Sequence, residues 1–439
     1  MRKRQKTMIS VCSALCLCGM ALTNATNISV KAREPNAAFV EETLLPVWEG
    51  DTAYYESVLP VENEYGGVDP INLLYPIEEI ISVQNAEMTK TYQEGVDYTV
   101  SKGRLIIADD GSIPLVSYTE FYPLTGTAGF ESNEGGYICF QEGTWFHSKQ
   151  IVITYKHKAG YDGYIPEGKA QLLPNVTQKL SNKKNLDVLV FGDSISVGAN
   201  SSGFTGISPY LPTYPQLFKT KLESAYGVKI NLTNPSVGGM GIDWGIEQID
   251  SVLSQQTGLD LAVVAFGMND GNLLPEVFAQ KANQLIAAIQ AKFPDAEILL
   301  VASMLPNPKA VHFYRQQVDF APALLEKCEK EGVAVVNMTA VHKGLLERKN
   351  YADMTGNNVN HPNDYMARVY AQTLFATLQE KKVEPDCQID QSDVSSEGPK
   401  PAGSFFGLLF GGCMSTAAAP TCAAATLGAA VLLKKKKDE

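Results

Sequence analysis

The stretch "LDVLVFGDSISVG", residues 186–198, joins a short apolar run to a glycine, an aspartate and a serine. A short run of apolar residues is typical of a strand that is buried on both faces of a sheet. Asp193 and Ser194 would leave such a sheet at its carboxyl end and lead into a helix. A serine at that position can project its hydroxyl into a cleft, although it would also suit the N-cap of the helix.

Similar apolar runs follow at residues 228–234, 259–267, 296–304 and 333–339. Amphipathic stretches with helical periodicity alternate with them, for example residues 275–293. This alternation predicts a parallel sheet with helices on both faces. In open α/β sheets the chemistry sits at the carboxyl ends of the strands. Candidate functional residues are therefore expected just after each apolar run.

Two further segments follow predicted strands. In "NPSVGGMG", residues 234–241, Gly239 could bring a backbone N–H close to a reacting atom, because no side chain shields it. In "FGMND", residues 266–270, the Asn269 amide could donate a hydrogen bond to a developing oxyanion. Taken alone, the first segment also fits a glycine-rich turn, and the second fits an Asx-turn or a helix cap.

The stretch "TGNNVNHPND", residues 355–364, contains a single histidine, His361, directly before a proline. Residues 362–380 read as a helix with Pro362 in its first turn. A neutral imidazole at this place could act as a general base. An ordinary loop histidine is the alternative when the stretch is considered alone.

Taken in order, these four segments resemble the SGNH hydrolases, also called GDSL-type esterases and lipases. The resemblance covers roughly residues 186–381 and implies a flavodoxin-like αβα sandwich with a parallel sheet. It also implies ester hydrolysis through a serine acyl-enzyme, without a metal or an organic cofactor. By resemblance, Ser194 is the nucleophile and His361 the general base. Gly239 and Asn269 match the oxyanion donors, together with the backbone N–H of Ser194.

The sequence departs from this family at one position. The family pattern Asp-x-x-His-Pro reads Asn358-Val-Asn-His361-Pro here. An asparagine oxygen can accept from the Nδ1–H of an imidazole, but it cannot balance the charge of the imidazolium formed during attack. Three readings follow: Asn358 or a backbone carbonyl orients His361, Asp353 or Asp364 replaces the missing carboxylate, or the site is catalytically dead.

Other chemistries find no support in the sequence. There is no His-Glu-x-x-His motif, no Gly-x-Ser-x-Gly motif and no P-loop. Outside the terminal segments the cysteines are Cys139, Cys328 and Cys387, which make neither a disulfide framework nor a zinc-ligand set. We expect Cys139 and Cys328 to be buried apolar residues. The net charge of −12 argues against a nucleic-acid partner.

Ahead of the predicted hydrolase domain (166–383), residues 34–165 are predicted to form a β-sandwich domain. Polar and apolar residues alternate on both sides of Lys102-Gly103, which is a hairpin signal. Residues 149–157 show a second alternating run. No segment of comparable strength has helical periodicity in this part of the chain.

The two ends of the chain carry targeting signals. Residues 1–32 have the charged start, apolar centre and small residues of a signal peptide, with an uncleaved anchor as the alternative. Residues 384–404 form a polar linker. Residues 405–439 are apolar and end in a lysine cluster, which suggests a membrane anchor or a sorting tail. We therefore expect an exported protein held at the cell surface, or secreted if the tail is cleaved.

Together these features predict a surface-anchored serine esterase. A β-sandwich ahead of an SGNH domain resembles the arrangement in some carbohydrate esterases, which favours an acylated polysaccharide as the substrate and O-deacetylation as the reaction. A lipid-directed acyl hydrolase and a non-catalytic glycan-binding surface protein are the alternatives.

Overall fold

The computed structural model describes residues 35–126 and 129–381, and its first part is rich in strands. The strands are β1 (Thr52–Val58), β2 (Glu79–Asn85), β3 (Tyr98–Ser101), β4 (Arg104–Ile107), β5 (Gly129–Glu131), β6 (Tyr137–Cys139) and β7 (Ile151–Lys156). Short helices accompany them, namely α1 (Ala37–Thr43), α2 (Tyr118–Phe121) and α3 (Trp145–Lys149). Strand β7 lies between β1 and β2 in an antiparallel sheet, while β3–β4 and β5–β6 form hairpins. These antiparallel sheets fit the β-rich region predicted ahead of the hydrolase domain.

The β3–β4 hairpin turns at the dipeptide that the sequence singles out. Ser101 pairs with Arg104, which leaves Lys102 and Gly103 as the two turn residues. Both have positive φ angles, 52° and 73°. This is the backbone twist that matches two antiparallel strands joined by a two-residue loop. The predicted hairpin is confirmed.

The later apolar runs form one parallel sheet. Its strands are β8 (Leu186–Gly192), β9 (Ile230–Thr233), β10 (Leu261–Ala265), β11 (Glu297–Ala302) and β12 (Val333–Asn337). The spatial order is β12-β11-β10-β8-β9, and all neighbours run parallel. Each predicted strand is thus confirmed, as is the parallel sheet.

Helices cover both faces of this sheet. They are α4 (Pro174–Ser181), α5 (Ser194–Val197), α6 (Ser202–Thr205), α7 (Tyr214–Tyr226), α8 (Ile242–Ser254), α9 (Pro275–Lys292), α10 (Phe320–Lys327), α11 (Met338–Leu346) and α12 (Asp364–Thr377). Val188 and Val190 of β8 pack in one core layer with residues of α4, α7, α11 and α12. Leu189 and Phe191 face the opposite layer, with residues of α8, α9 and α10. This alternation gives the predicted αβα sandwich.

The strand order places a switch point at β8. The chain passes from β8 to β9 on one side and then returns to β10 on the other side of β8. Connections that leave in opposite directions open a crevice at the carboxyl ends of the two central strands. The segments that follow β8, β9 and β10 therefore meet at this end of the sheet.

Helix α12 begins later than the sequence predicts. Its first residue is Asp364, and its N-cap is Asn363, whose side-chain oxygen accepts from Met366 N at 3.1 Å. Pro362 lies one residue before the cap, so the prediction that it stands in the first helical turn is wrong. The physical reason is that an asparagine can satisfy a free N–H of the first turn, which proline cannot do.

A buried ion pair joins the β-rich region to the α/β part. Lys349 Nζ lies 2.6 Å from Glu56 Oε1, and the two side chains are 0% and 1% exposed. The other oxygen of Glu56 accepts from the Tyr155 hydroxyl at 2.7 Å. A buried pair of this kind is sustained by such additional hydrogen bonds. The apolar core is also continuous between the two parts, which form one compact unit. The domain boundary between residues 165 and 166 stays a prediction.

The β-rich region also forms hydrogen bonds to residues 350–363 of the α/β part, a segment that we call the histidine loop. The Gln150 side-chain amide donates to the carbonyls of Ala352 and Thr355, both at 2.9 Å. Asn363 Nδ2 returns a hydrogen bond to Gln150 Oε1 at 3.1 Å and another to the Ser57 hydroxyl at 3.1 Å. All of these groups are buried. The backbone of the loop is therefore fixed from outside the α/β part.

Several predictions concern residues outside the described ranges. The predicted signal peptide (1–32), the linker (384–404) and the C-terminal tail (405–439) all lie there. Within residues 35–126 and 129–381, no helix has the length and apolarity needed to cross a bilayer. Cys139 and Cys328 are buried free thiols, as predicted.

Candidate active site

Ser194 stands directly after strand β8, as the first residue of helix α5. Gly192, which ends the strand, approaches β10 so closely that a Cβ would lie 2.3 Å from Ala265 O. Asp193 is the N-cap of the helix, because its Oδ1 accepts from Ile195 N at 3.0 Å. The alternative role of Ser194 as the N-cap is thus taken by its neighbour. The backbone N–H of Ser194 is left without an acceptor inside the helix.

Asp193 carries an unusual carboxyl group for a residue beside a candidate nucleophile. It is 1% exposed. Burial raises the pKa of Asp193 to about 7, although the hydrogen bond from Ile195 N acts in the opposite direction. Near pH 7 part of the Asp193 population is therefore neutral.

The histidine loop presents His361 to Ser194. Asn357 Oδ1 accepts from the backbone N–H groups of Val359, Asn360 and His361, each at 3.0 Å. The Thr355 hydroxyl donates to His361 O at 2.8 Å. These bonds fix the backbone on both sides of the histidine. His361 Nε2 then lies 2.9 Å from Ser194 Oγ, which is hydrogen-bonding distance for a base and its nucleophile.

Asn200 orients the other ring nitrogen. Its Oδ1 lies 2.6 Å from His361 Nδ1, and its Nδ2 donates to Gly143 O at 3.1 Å. Because the NH₂ group is used by a carbonyl, the amide oxygen is the atom that faces the imidazole. Nδ1 therefore carries the proton and Nε2 is free to accept one from Ser194 Oγ. This is the tautomer that a general base requires.

Two further side chains lie close to His361 Nδ1. Asn357 Nδ2 is 3.1 Å away, but its two hydrogens are used by Glu142 Oε1 at 3.0 Å and Asn360 Oδ1 at 2.9 Å. Glu142 Oε2 is 3.4 Å from Nδ1, and the Glu142 side chain is 52% exposed. Partial burial raises the pKa of Glu142, but hydrogen bonding and the charge of the imidazole outweigh this, and the net shift is downward. The carboxylate is therefore ionised when the imidazole is charged.

The structure corrects the prediction for Asn358. Its Nδ2 donates to Cys139 O at 3.0 Å, and its Oδ1 accepts from Asn307 Nδ2 at 3.1 Å. The backbone of Asn358 has a positive φ of 66°. Within the described residues Asn358 forms no hydrogen bond with the His361 imidazole, and it instead attaches the loop to the β-rich region.

The two alternative carboxylates are also engaged elsewhere. Asp353 accepts from the backbone N–H groups of Leu59 at 2.8 Å and Asn350 at 3.1 Å. Asp364 Oδ1 accepts from Ser202 N at 2.8 Å, while its Oδ2 is buried without a hydrogen bond to His361 or to any other described group. The polar neighbours of His361 Nδ1 are thus the side chains of Asn200, Asn357 and Glu142, which the sequence analysis did not single out. Among the described residues no backbone carbonyl accepts from Nδ1.

The predicted oxyanion donors lie on neighbouring loops. Gly239 has a φ of 76°, which favours glycine, and a Cβ at Gly238 would stand 3.6 Å from Ser194 Cβ. Asn269 Nδ2 donates to Met240 O at 3.0 Å, which places its amide beside the same glycine loop and leaves its second hydrogen available. The loops after β8, β9 and β10 thus meet as the sequence predicts.

Sequence reasoning missed Asn200, Asn357 and Glu142. Asn200 closely follows the GDS motif, and Asn357 lies in the asparagine-rich histidine loop, so polar residues near the two motifs were a usable signal. Nothing local marks Glu142, which belongs to the β-rich region. Within the described part of the chain, no cluster of three or more His, Cys, Asp or Glu side chains could hold a metal ion. Nucleophile, base, orienting amide and oxyanion donors together can perform acyl transfer.

A family model matches the part of the chain that carries these residues. Residues 190–369 match the model of the GDSL-like Lipase/Acylhydrolase family, and this range contains Ser194, Gly239, Asn269 and His361. A search of curated protein sequences gives no significant match. The family match identifies this part of the chain as a GDSL-like domain, as the sequence motifs predict.

Several solved structures are similar at low identity. A two-domain esterase active on acetylated mannans, crystallised with mannopentaose, is 18% identical, with 50% of this chain and 57% of that chain covered and a TM-score of 0.39. The psychrotrophic esterase EstA of Pseudoalteromonas sp. is 16% identical, with 44% and 96% covered and a TM-score of 0.31. The carbohydrate acetylesterase Est24 of Sinorhizobium meliloti is 14% identical, with 44% and 96% covered and a TM-score of 0.33. The chain spans less than two thirds of the length of the two-domain esterase.

Proposed function

Because residues 190–369 form a GDSL-like lipase/acylhydrolase domain, we propose that the protein is a serine carboxylic ester hydrolase. The observation that carries this proposal is the 2.9 Å contact between His361 Nε2 and Ser194 Oγ, with the tautomer of the imidazole set by Asn200. A serine and a base in this relation activate the hydroxyl for attack on an acyl carbon.

The reaction proceeds through two acyl transfers. Ser194 Oγ attacks the ester carbonyl while His361 Nε2 takes the hydroxyl proton. The negative oxygen of the tetrahedral intermediate accepts from the N–H groups of Ser194 and Gly239 and from Asn269 Nδ2. His361 then gives its proton to the departing alcohol. In the second half, His361 deprotonates a water molecule that attacks the acyl-enzyme, and the acid is released with Ser194 restored.

The substrate that we propose is an O-acetylated polysaccharide. A cavity of about 680 Å³ lies between the β-rich region and the histidine loop. It combines aromatic rings with polar side chains, among them Tyr118, Phe121, Tyr122, Glu62, Asn63 and Asn72. Aromatic faces provide apolar contact area, while carboxylate and amide groups hydrogen-bond to hydroxyls, and a sugar offers both kinds of surface. A polysaccharide could thus contact the protein at this cavity, whose lining does not include Ser194 or His361.

Export and surface attachment belong to the same proposal. The charged and apolar start of the chain and its apolar, lysine-terminated end support an outward-facing protein tethered by residues 384–404. A polysaccharide outside the cell would be accessible to an enzyme held in this way. Fractionation of cells, with detection of the protein in membrane and medium, tests this part separately.

Turnover of two substrate series tests the proposed activity. We expect hydrolysis of aryl acetate to exceed that of aryl palmitate, and release of acetate from acetylated mannan or xylan. Ser194→Ala should abolish both, whereas Ser251→Ala, an exposed serine on helix α8, should leave them unchanged. A preference for long acyl chains would instead indicate a lipid-directed hydrolase. A folded protein without turnover on any ester would indicate a glycan-binding protein.

A further inference from the structure

The segment Asn358-Val-Asn-His361 has an asparagine where the family pattern has an aspartate. A carboxylate nevertheless faces the His361 imidazole, and it comes from another part of the chain. We propose that Glu142, from the β-rich region, is a positioning residue that supplies the negative charge opposite His361, while Asn200 alone sets the tautomer. This inference rests on the proposed esterase function and extends it. A single aspartate can both set the tautomer of a catalytic histidine and stabilise its protonated form. Here Asn200 would perform the first of these tasks and Glu142 the second.

The position of Glu142 is built by contacts from both parts of the chain. Glu142 lies between strand β6 and helix α3. Asn357 Nδ2 donates to Glu142 Oε1 at 3.0 Å, which leaves Oε2 facing His361 Nδ1 at 3.4 Å. The next residue, Gly143, accepts from Asn200 Nδ2 at 3.1 Å. The same short segment therefore contacts both residues that surround Nδ1.

The two acceptors at Nδ1 differ in what they can stabilise. Asn200 Oδ1, at 2.6 Å, is the nearer atom and takes the Nδ1 proton. Being neutral, it fixes the ring but contributes little to the stability of an imidazolium. Glu142 carries a full negative charge, and its Oε2 is close enough to His361 Nδ1 to attract a protonated imidazole. Water partly screens this attraction, because the Glu142 side chain is half-exposed. The charge therefore acts mainly when His361 becomes protonated during attack.

Two other carboxyl groups, one before the nucleophile and one after the histidine loop, form no ion pair with His361 in the described residues. Asp193, which precedes the nucleophile, has Oδ1 bound to Ile195 N and a pKa raised by burial. Asp364, at the start of helix α12, has Oδ1 bound to Ser202 N. In residues 35–126 and 129–381, Glu142 is the carboxylate that forms an ion pair with His361, and no lysine or arginine pairs with Glu142.

Three variants of the full-length enzyme test this role. Glu142→Gln keeps the shape and the hydrogen bond from Asn357 but removes the charge. We expect kcat on aryl acetate to fall about tenfold with KM nearly unchanged. We also expect the acid limb of the pH profile of kcat/KM to move about half a pH unit lower, because the protonated imidazole is less stabilised. Glu142→Asp should restore part of kcat and return the acid limb of the pH profile most of the way to its original pH.

Glu131→Gln is the matched control, since it removes an exposed charge from the same region away from His361. It should behave as the unsubstituted enzyme. The inference is overturned if Glu142→Gln keeps the original rate and profile, or if it loses rate with the acid limb unmoved, as a purely structural role would give. Failure of the esterase function itself looks different, because the unsubstituted enzyme would then show no Ser194-dependent turnover.

Discussion

Asn200 Oδ1 lies 2.6 Å from His361 Nδ1, so an amide occupies the place at the imidazole where a carboxylate would be expected. The amide is itself held by the carbonyl of Gly143, a residue of the β-rich region. The orientation of the proposed base therefore depends on a hydrogen-bonded chain that runs from one part of the fold to the other.

Removing this amide should slow catalysis without unfolding the protein. Asn200 has a φ of 65°, so Asn200→Gly deletes the side chain at a position where glycine is unstrained. We expect kcat to fall about 100-fold, because the imidazole loses its preferred tautomer. Steady-state kinetics and thermal unfolding would be measured together. Lys183→Gly, at another positive φ of 53°, is the control and should retain full activity. Unchanged kcat in Asn200→Gly would show that another group orients His361.

Asn269 should act only on the transition state. Asn269→Asp is nearly isosteric but cannot donate to an oxyanion, and its charge opposes the one that develops there. We expect kcat to fall about 10²–10³-fold, with a much smaller change in KM. Asn269→Ala should show a similar loss without the added repulsion. A variant with normal kcat and raised KM would assign Asn269 to substrate binding instead.

Asp270 should make stability depend on pH. Burial raises the pKa of Asp270 from 3.8 to about 6, outweighing the hydrogen bond from Ile242 N. A carboxyl whose pKa is raised by folding contributes stability that is present below its unfolded pKa and lost as pH rises through the folded value. Relative to Asp270→Asn, the unsubstituted protein should therefore lose on the order of 3 kcal/mol across this window, because one pKa unit corresponds to about 1.4 kcal/mol.

Denaturant unfolding at a series of pH values checks the Asp270 prediction. Asp250→Asn removes an exposed carboxylate from helix α8 and should not abolish the decline. If Asp270→Asn and the unsubstituted protein lose stability in parallel, the carboxyl group of Asp270 is not its source.

Breaking the buried ion pair should destabilise the fold strongly. Lys349→Met leaves the Glu56 carboxylate buried without its cation, so we expect a loss of about 3–5 kcal/mol in the free energy of unfolding. The control Lys156→Met breaks a pair with Glu79 whose side chains are 52% and 61% exposed, and it should cost less than about 1 kcal/mol. Adding Glu56→Gln to Lys349→Met should restore part of the loss. Equal effects of the two lysine substitutions in chemical denaturation would contradict this account.

The elements that the sequence predicted well are those with local causes. Strand β8 and the exit at Ser194 follow from an apolar run and a motif that are contiguous in the chain. The hairpin at Lys102-Gly103 follows from alternating polar and apolar residues on both sides of a glycine, which accepts positive φ. The approach of His361 to Ser194 was expected through the family pattern and the order of the segments.

The surroundings of His361 depend on causes that are not local. Asn200 and Asn358 both have positive φ angles, 65° and 66°. In spite of this shared conformation, the amide of Asn200 reaches the imidazole, whereas that of Asn358 bonds to Cys139 O and Asn307 Nδ2. Neither positive φ angle can be read from the sequence around these two asparagines. Glu142 comes from a different region, and its place follows from packing between regions rather than from any motif.

The hydrogen bonds of Gln150 to the histidine loop mean that the α/β part cannot be exchanged between proteins as an independent module. The Gln150 amide holds the carbonyls of Ala352 and Thr355, and its oxygen holds Asn363. A chimera that grafted residues 166–383 onto a foreign N-terminal partner would contain Ser194 and His361 without the side chains that hold the histidine loop. Engineering by domain exchange would have to transplant Gln150 and its neighbours as well.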